Sequence, residues 1–369
     1  MKARTNAKIA AVAVLGAAIF GTATPALAAG SSVHPGQSIQ GAIDAAAAGS
    51  TVTVTAGTYH ENLLIAKPVT LRGTGDVVIE PGSTIAANPC TNDPDGGPGF
   101  NVGVCVIGRL GPIPPGEDVP AVLGLVDDVH PSNIELRDFT GGVIALGTRN
   151  LRIDNVEADH NGDGIFVEDG VGTLLDSNRA HDNAGGGVQA RTSERVRIVH
   201  NRAWSNVGEG ILVLDSHVGL LARNTSSGNC AGIALIDTGA PGATDDLRVA
   251  NNTVQANNLF CAGDPTKPSE SGVGIAMLGT ANVVVRDNLI TGNIGQPDPQ
   301  TQQPAQFSGA GLILLDGALA GGAALTRNRI IHNTITGNAP LDVLYDGSGT
   351  GNVFVANTCT AATAPGICH

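Results

Sequence analysis

Aromatic residues are scarce in this 369-residue chain, at 3% with a single tryptophan, Trp204. The core must therefore be built from stacked aliphatic side chains. Cationic residues are scarce too. Lys2, Arg4 and Lys8 open the chain, and 17 Lys and Arg remain beyond them against 33 Asp and Glu. A surface that acidic excludes nucleic acid as a partner, because phosphate binding needs a basic stripe. It also repels uronic-acid polymers unless Ca²⁺ bridges them or a local Arg patch overrides the field. No Cys-x-x-Cys pair occurs among the six cysteines, which argues against zinc and for disulfides. Cys90 with Cys105, Cys230 with Cys261, and Cys359 with Cys368 would each close a local loop. No apolar run is long enough to span a bilayer. Residues 9–20 are apolar but short, and with the basic start and Ala26-Leu27-Ala28 they read as an export signal over residues 1–28. The expected mature protein is one secreted domain, residues 29–369.

What the chain has in abundance is a repeat. Across residues 151–239 an Asn recurs at a spacing of 23 (Asn178, Asn201, Asn224), and a second Asn follows each five residues later (Asn183, Asn206, Asn229). An earlier copy carries Val156 in the first place and Asn161 in the second. After each pair comes Gly and a short apolar run, as in Gly164-Ile165-Phe166-Val167 and Gly210-Ile211-Leu212-Val213. Such runs are too short for helices and rich in β-branched residues. A fixed period of this length with two or three short strands per turn predicts an all-β solenoid, a parallel β-helix. Its strands stack about 4.8 Å apart, so each Asn column becomes a structural ladder that satisfies turn backbone.

Residues 38–49 read as a short capping helix with Ser38 as N-cap, part of an N-terminal cap over residues 33–50. Residues 83–131 read as a disulfide-closed insertion, residues 132–239 as regular coils and residues 240–369 as enlarged coils with a C-terminal cap. The Asn spacing grows there to 28, 36 and 45 at Asn252, Asn288 and Asn333. Extra residues emerging at one corner would wall one face. Asp93 and Asp95 offer oxygens for Ca²⁺, without the spacing of an EF-hand loop.

The stretch from Pro35 through Gln40, then Gly57-Thr58-Tyr59-His60-Glu61-Asn62 and Val69-Thr70-Leu71-Arg72-Gly73, resembles the opening of right-handed β-helix proteins of the pectin-lyase-like superfamily. The Asn-rich coils resemble the parallel β-helix repeats of the same group. That resemblance implies an extracellular polysaccharide as partner and lyase, hydrolase or epimerase chemistry, or a non-catalytic carbohydrate-binding or wall-associated scaffold. The Asn-Thr-Asp, Gly-His-Gly and Arg-Ile-Lys signatures of polygalacturonases are absent. Gly57, Tyr59 and Glu61 match a pectin methylesterase element whose later catalytic Gln and Asp motifs are not recognisable. Beyond the first residues only Lys67 and Lys267 remain, neither in a regular coil, which disfavours a lysine base. A copper accessory role, similar to that of β-helix partners of nitrous oxide reductase, would use His160, His181, His200 and His217, which sit at scattered offsets with Met277 as the one thioether beyond Met1.

Stacking on the period sets Asp159 and His160 beside His181 and Asp182, with Trp204 one coil on. Asp163 and Glu209 occupy comparable turns, and Glu168 stacks next to Arg191, then Leu214 and Ile236. The expected site is one acidic groove. Asp159, His160, Asp163, His181, Asp182 and Arg191 form the expected catalytic set, with the carboxylates as general acid and base or Ca²⁺ ligands, a His carrying protons and Arg191 neutralising a sugar carboxylate; Trp204, Glu209 and Glu168 would bind substrate, with Ca²⁺ as the candidate cofactor. The competing reading is a set of solvated turn residues, a surface ion pair between Glu168 and Arg191, and a packed Trp204.

Overall fold

The computed structural model describes residues 32–84, 89–90, 101–113, 120–240, 242–263 and 268–369. The expected export signal, Asp93, Asp95 and Lys267 lie outside the described residues. Each regular coil contributes three strands, and each strand pairs in parallel with its counterpart in the next coil. One coil runs through β1 (Arg152–Asp154), β2 (Glu157–Asp159) and β3 (Asp163–Val171). The next runs through β4 (Leu174–Asp176), β5 (Arg179–His181) and β6 (Val188–Arg191). The pairings β1 with β4, β2 with β5 and β3 with β6 define three faces, here B, C and A in chain order. The chain is a right-handed parallel β-helix with one short helix at its N-terminal end.

Inward side chains of face A form a single aliphatic column. Ile165, Val188, Ile211, Ile233, Ile275, Leu312 and Val343 are register partners in successive coils, and all are fully buried. Burying such a side chain contributes about 1.5–3 kcal/mol, so few aromatics are needed. Glycine precedes the strand because the next coil comes too close for a side chain. A Cβ on Gly187 would lie 2.6 Å from the Gly210 carbonyl oxygen and 2.8 Å from Asn206 Nδ2.

Both Asn columns are ladders. Asn178 donates Nδ2 to Asn201 Oδ1 at 3.0 Å and Asn201 to Asn224 at 3.1 Å, and the chain of amides continues through Asn252, Asn288 and Asn333 to Asn357. The second ladder runs from Asn183 through Asn206, Asn229, Asn257 and Asn293 to Asn338, and ends on the Asp342 carboxylate. The residue before each ladder Asn in the regular coils has positive φ, among them His160 (54°), Asp182 (53°) and His200 (58°).

The helix covers Ile39–Ala45, shorter than expected, and Ser38 is its N-cap. Glu61 accepts from the backbone N–H groups of Ile39 (2.7 Å) and Gln40 (3.0 Å), and Tyr59 Oη donates to the carbonyls of Val33 and Thr55. The esterase-like Gly-x-Tyr-x-Glu match therefore holds the cap onto the first coil.

Two expectations need correction. Residues 83–131 do not simply interrupt the solenoid: Val102–Ile107 is a face A strand paired with residues 141–146, and His130–Ser132 joins face B. Strand pairing outweighs the Pro- and Gly-rich turns around them. The later additions also emerge at two corners. Residues 237–240, 242–244 and 316–325 leave on the side where face A passes to face B, and residues 294–306 on the side where face C passes to face A. Both groups flank face A. The disulfides join Cys90 to Cys105, Cys230 to Cys261 and Cys359 to Cys368. Among the described residues no helix is long and apolar enough to cross a membrane.

Candidate functional site

The expected site residues fall on two faces. Face C carries the register column Arg137, Asp159, His181, Trp204. His181 is held on both nitrogens: Nδ1 lies 2.7 Å from Asp182 Oδ2 and Nε2 3.0 Å from Glu157 Oε1. Its ring stacks on Trp204 with centroids 4.0 Å apart and a 12° tilt, and the Arg202 guanidinium lies 5.5 Å from the indole centroid. Arg179 pairs with the same Glu157. An imidazole held by two carboxylates has no open nitrogen for a substrate proton, and a tryptophan covered by a neighbour is a poor sugar platform. His160 bonds Asp159 Oδ2 through Nδ1 at 2.8 Å, a contact that raises its pKa, while Asp159 Oδ1 is buried with no partner. His160 and Asp182 occupy the positive-φ turn places. Face C thus holds a cross-coil ladder of charges and rings.

Face A carries the other set on its outward side. Asp163 Oδ1 accepts from the Gly186 N–H at 2.9 Å and from Gln189 Nε2 at 2.7 Å. Gln189 Oε1 accepts from Arg191 Nη2 at 2.9 Å. The Arg191 guanidinium lies 5.0 Å above the Phe166 ring, and Glu168 is its register partner one coil back. Burial pushes the Asp163 carboxyl above the ordinary carboxylate range. The Gly186 N–H, Arg191 and Gln189 oppose that rise, and Glu209 adds to it. Ile165, Val188 and Ile211 are register partners, so the positions two residues earlier, Asp163, Gly186 and Glu209, lie above one another. Asp163 and Glu209 therefore sit two coils apart, about 9.6 Å along the axis, with a glycine between them.

His181 does not share a face with Asp163 and Arg191. The expected single groove is divided because the chain turns a corner at residues 160–162, between β2 and β3. Among the described residues no group of three or more His, Cys, Asp or Glu side chains could hold a metal ion. His160, His181 and His200 are each engaged with carboxylates, and His217 lies on face B.

The model of the right handed beta helix region family matches residues 141–318. Among solved structures, the A-module of mannuronan C-5 epimerase AlgE4 from Azotobacter vinelandii superimposes with a TM-score of 0.56. It is 21% identical over 86% of this chain and 89% of that one. The Dettilon tailspike protein gives 0.56 at 14% identity, over 90% of this chain and 68% of that one. The periplasmic alginate epimerase AlgG gives 0.51 at 12% identity, over 85% and 77%. The fold is that of a right-handed parallel β-helix. A search of curated protein sequences returns no match.

Seen as a face of this β-helix protein, the Asp163 cluster includes groups that sequence reasoning missed. Gln189 is one, reachable only by noting that it alternates outward two residues before Arg191. A second is apolar. Outward positions beyond Arg191 read Leu212 and Leu214, then Ala234 and Ile236, Ala276 and Leu278, Ile313 and Leu315. Strands apolar on both sides expect cover on both sides. The signal was the unbroken run after each glycine.

Proposed function

We propose that this protein is a secreted enzyme acting on an extracellular polysaccharide, with its site on face A around Asp163, Gln189, Arg191 and Glu209. The observation that carries the reading is the pair of carboxylates set two coils apart across Gly186, one of them, Asp163, with its carboxyl pushed up by burial. Two acids in different environments divide the work of acid and base. Asp163, as the general acid, would protonate the leaving glycosidic oxygen. Glu209 would take a proton from an attacking water in the gap above Gly186. An axial offset of about 9.6 Å between the two positions is closer to the wide spacing of inverting glycoside hydrolysis, roughly 6.5–9.5 Å between carboxyl groups, than to the roughly 5–5.5 Å of retaining enzymes. Gln189 orients Asp163, and Arg191 anchors the sugar.

Supporting the substrate class, the epimerases with this fold carry mannuronan or alginate in their names. Three disulfides suit an oxidising compartment. Arg191 favours a second reading. Paired with a uronate carboxylate, it would acidify the adjacent C–H and turn the same acid–base pair to elimination or epimerisation.

The test is turnover on a panel of extracellular glycans with and without chelator, which also reads the expected Ca²⁺. New reducing ends of inverted anomeric configuration support hydrolysis. The ultraviolet absorbance of an unsaturated uronate marks elimination, and a changed uronate ratio without chain scission marks epimerisation. Binding without turnover on every glycan would return the protein to the scaffold class.

A further inference from the structure

Face A changes character abruptly one coil beyond Arg191. Its outward middle row reads Gln189, Leu212, Ala234, Ala276, Ile313, Leu344 in successive coils. Outward rows of a β-helix face water unless something covers them, and this row, which carries Ile144 and Phe166 in the coils before Gln189, is aliphatic for the five coils after it. The enlarged coils raise walls on both sides. Pro268 and Phe307 stand on one, Leu319 and Ala320 of the 3₁₀ turn Gly317–Ala320 on the other. The walls enclose a cavity of about 310 Å³ without filling it. A second space of about 490 Å³ adjoins it and shares Pro268, Phe307, Ile313 and Leu319, so the trough continues toward Leu344. Arg191 and Glu209 close the first cavity at the Asp163 end.

A plain sugar chain is a poor match for this floor. Each buried hydroxyl wants a hydrogen-bond partner and costs free energy without one, whereas Leu, Ile and Ala side chains offer none. A flat protein surface is also a poor match, because the two walls keep it off the floor. The shape suits a slender apolar chain. From Leu212 to Leu344 are four strand spacings, about 19 Å, and the gain from burying an alkyl chain grows with the area it covers. At the polar end lie a guanidinium and carboxylates, partners for a hydroxylated or anionic head.

We infer that the trough binds the alkyl chain of an amphiphilic glycan, an acylated or lipid-linked saccharide, and delivers its sugar head to Arg191, Glu209 and Asp163. The head-group half of this inference rests on the proposed catalytic site. The alkyl half rests on the trough alone.

The experiment is titration calorimetry of the full chain with dodecyl β-maltoside, held below its micelle concentration, against maltose and lauric acid. One dodecyl maltoside should bind per chain, at least tenfold tighter than maltose. Ala276→Phe, which fills the floor, should weaken it at least tenfold with an unchanged melting temperature; Ala234→Phe serves the same purpose if the first variant misfolds. Lauric acid binding at the same site, lost in the same variants, also supports an alkyl trough. Dodecyl maltoside binding no tighter than maltose, binding that ignores both substitutions, or many molecules adsorbed per chain would each overturn it. So would a dimer that Ala276→Phe dissociates, which would assign the face to a second copy. Failures separate cleanly: Asp163→Asn that retains turnover while alkyl binding persists sinks the catalytic assignment and leaves the trough, and the converse sinks the trough alone.

Discussion

Gln189 reaches back one coil to donate to Asp163 at 2.7 Å, and its carbonyl oxygen receives Arg191 at 2.9 Å. One amide thus fixes both charged groups, with its two ends assigned by what they touch. Replacing the carboxyl by an amide at its centre is therefore the sharpest test of the site. Asp163→Asn should lower kcat/KM by about 10²–10⁴-fold, the usual worth of a positioned acid. Stability should move the other way. A raised folded pKa contributes stability below the unfolded value of about 3.9 and loses it as pH rises through the folded value. The variant removes the cost of ionising a buried carboxyl, so its melting temperature at neutral pH should equal or exceed the parent's. Loss of activity through a lower melting temperature would count against the role.

Gln189→Leu removes one of the contacts that hold the Asp163 carboxyl down. The limb of the pH–rate profile that reports the acid should shift to higher pH, while Arg191 loses its orienting partner. A profile that keeps its shape and only drops in height would argue that Gln189 packs rather than tunes.

Trp204→Ala should leave kcat/KM and glycan affinity within about twofold. The indole is stacked on His181, away from the carboxylate pair on face A. A tenfold loss would move the site to face C. The same variant removes the chain's only tryptophan, so its unfolding must be followed by circular dichroism.

Asn201 sits mid-ladder. Its Oδ1 accepts both the backbone N–H (2.9 Å) and Nδ2 (3.0 Å) of Asn178, and its own Nδ2 reaches Asn224. Asn201→Ala leaves a buried N–H without a partner and should cost about 3 kcal/mol. A lower urea midpoint at constant slope would show it.

Acid should act through the other ladder's end. Burial would raise the Asp342 carboxyl, but bonds from Thr360 and Asn338 outweigh it and hold the group below the ordinary range. That stability is present above the unfolded value of about 3.9 and is lost as pH falls through the folded one. Asp342→Asn should melt below the parent at pH 7, and the two curves should converge in strong acid.

The period made much of this legible. Once 23 residues equal one strand spacing, Glu168, Arg191 and Leu214 must align, as must His181 and Trp204, with Asp159 joining that column across a coil one residue shorter. A period gives neighbours along the axis. It does not say where the chain bends around the axis, so Asp163 and His181 looked like companions although a corner separates their strands. Gln189 was invisible because its role depends on which coil lies above it. The trough was invisible because an apolar run reads alike whether its second side meets core or an external wall, and the wall residues come from insertions without a repeat.

The end of the second ladder has a consequence for association. An amide both gives and receives, so a row of them exposed at a solenoid's end could be continued by another molecule, coil upon coil, into a filament. Asp342 receives from Asn338 and from Thr360 but, as a carboxylate, has no hydrogen to pass on. The row stops there for a chemical reason. With residues 359–368 tied across the last turn by a disulfide, the second ladder offers no amide hydrogen to a following molecule: one oxygen atom stands where another asparagine would carry a nitrogen.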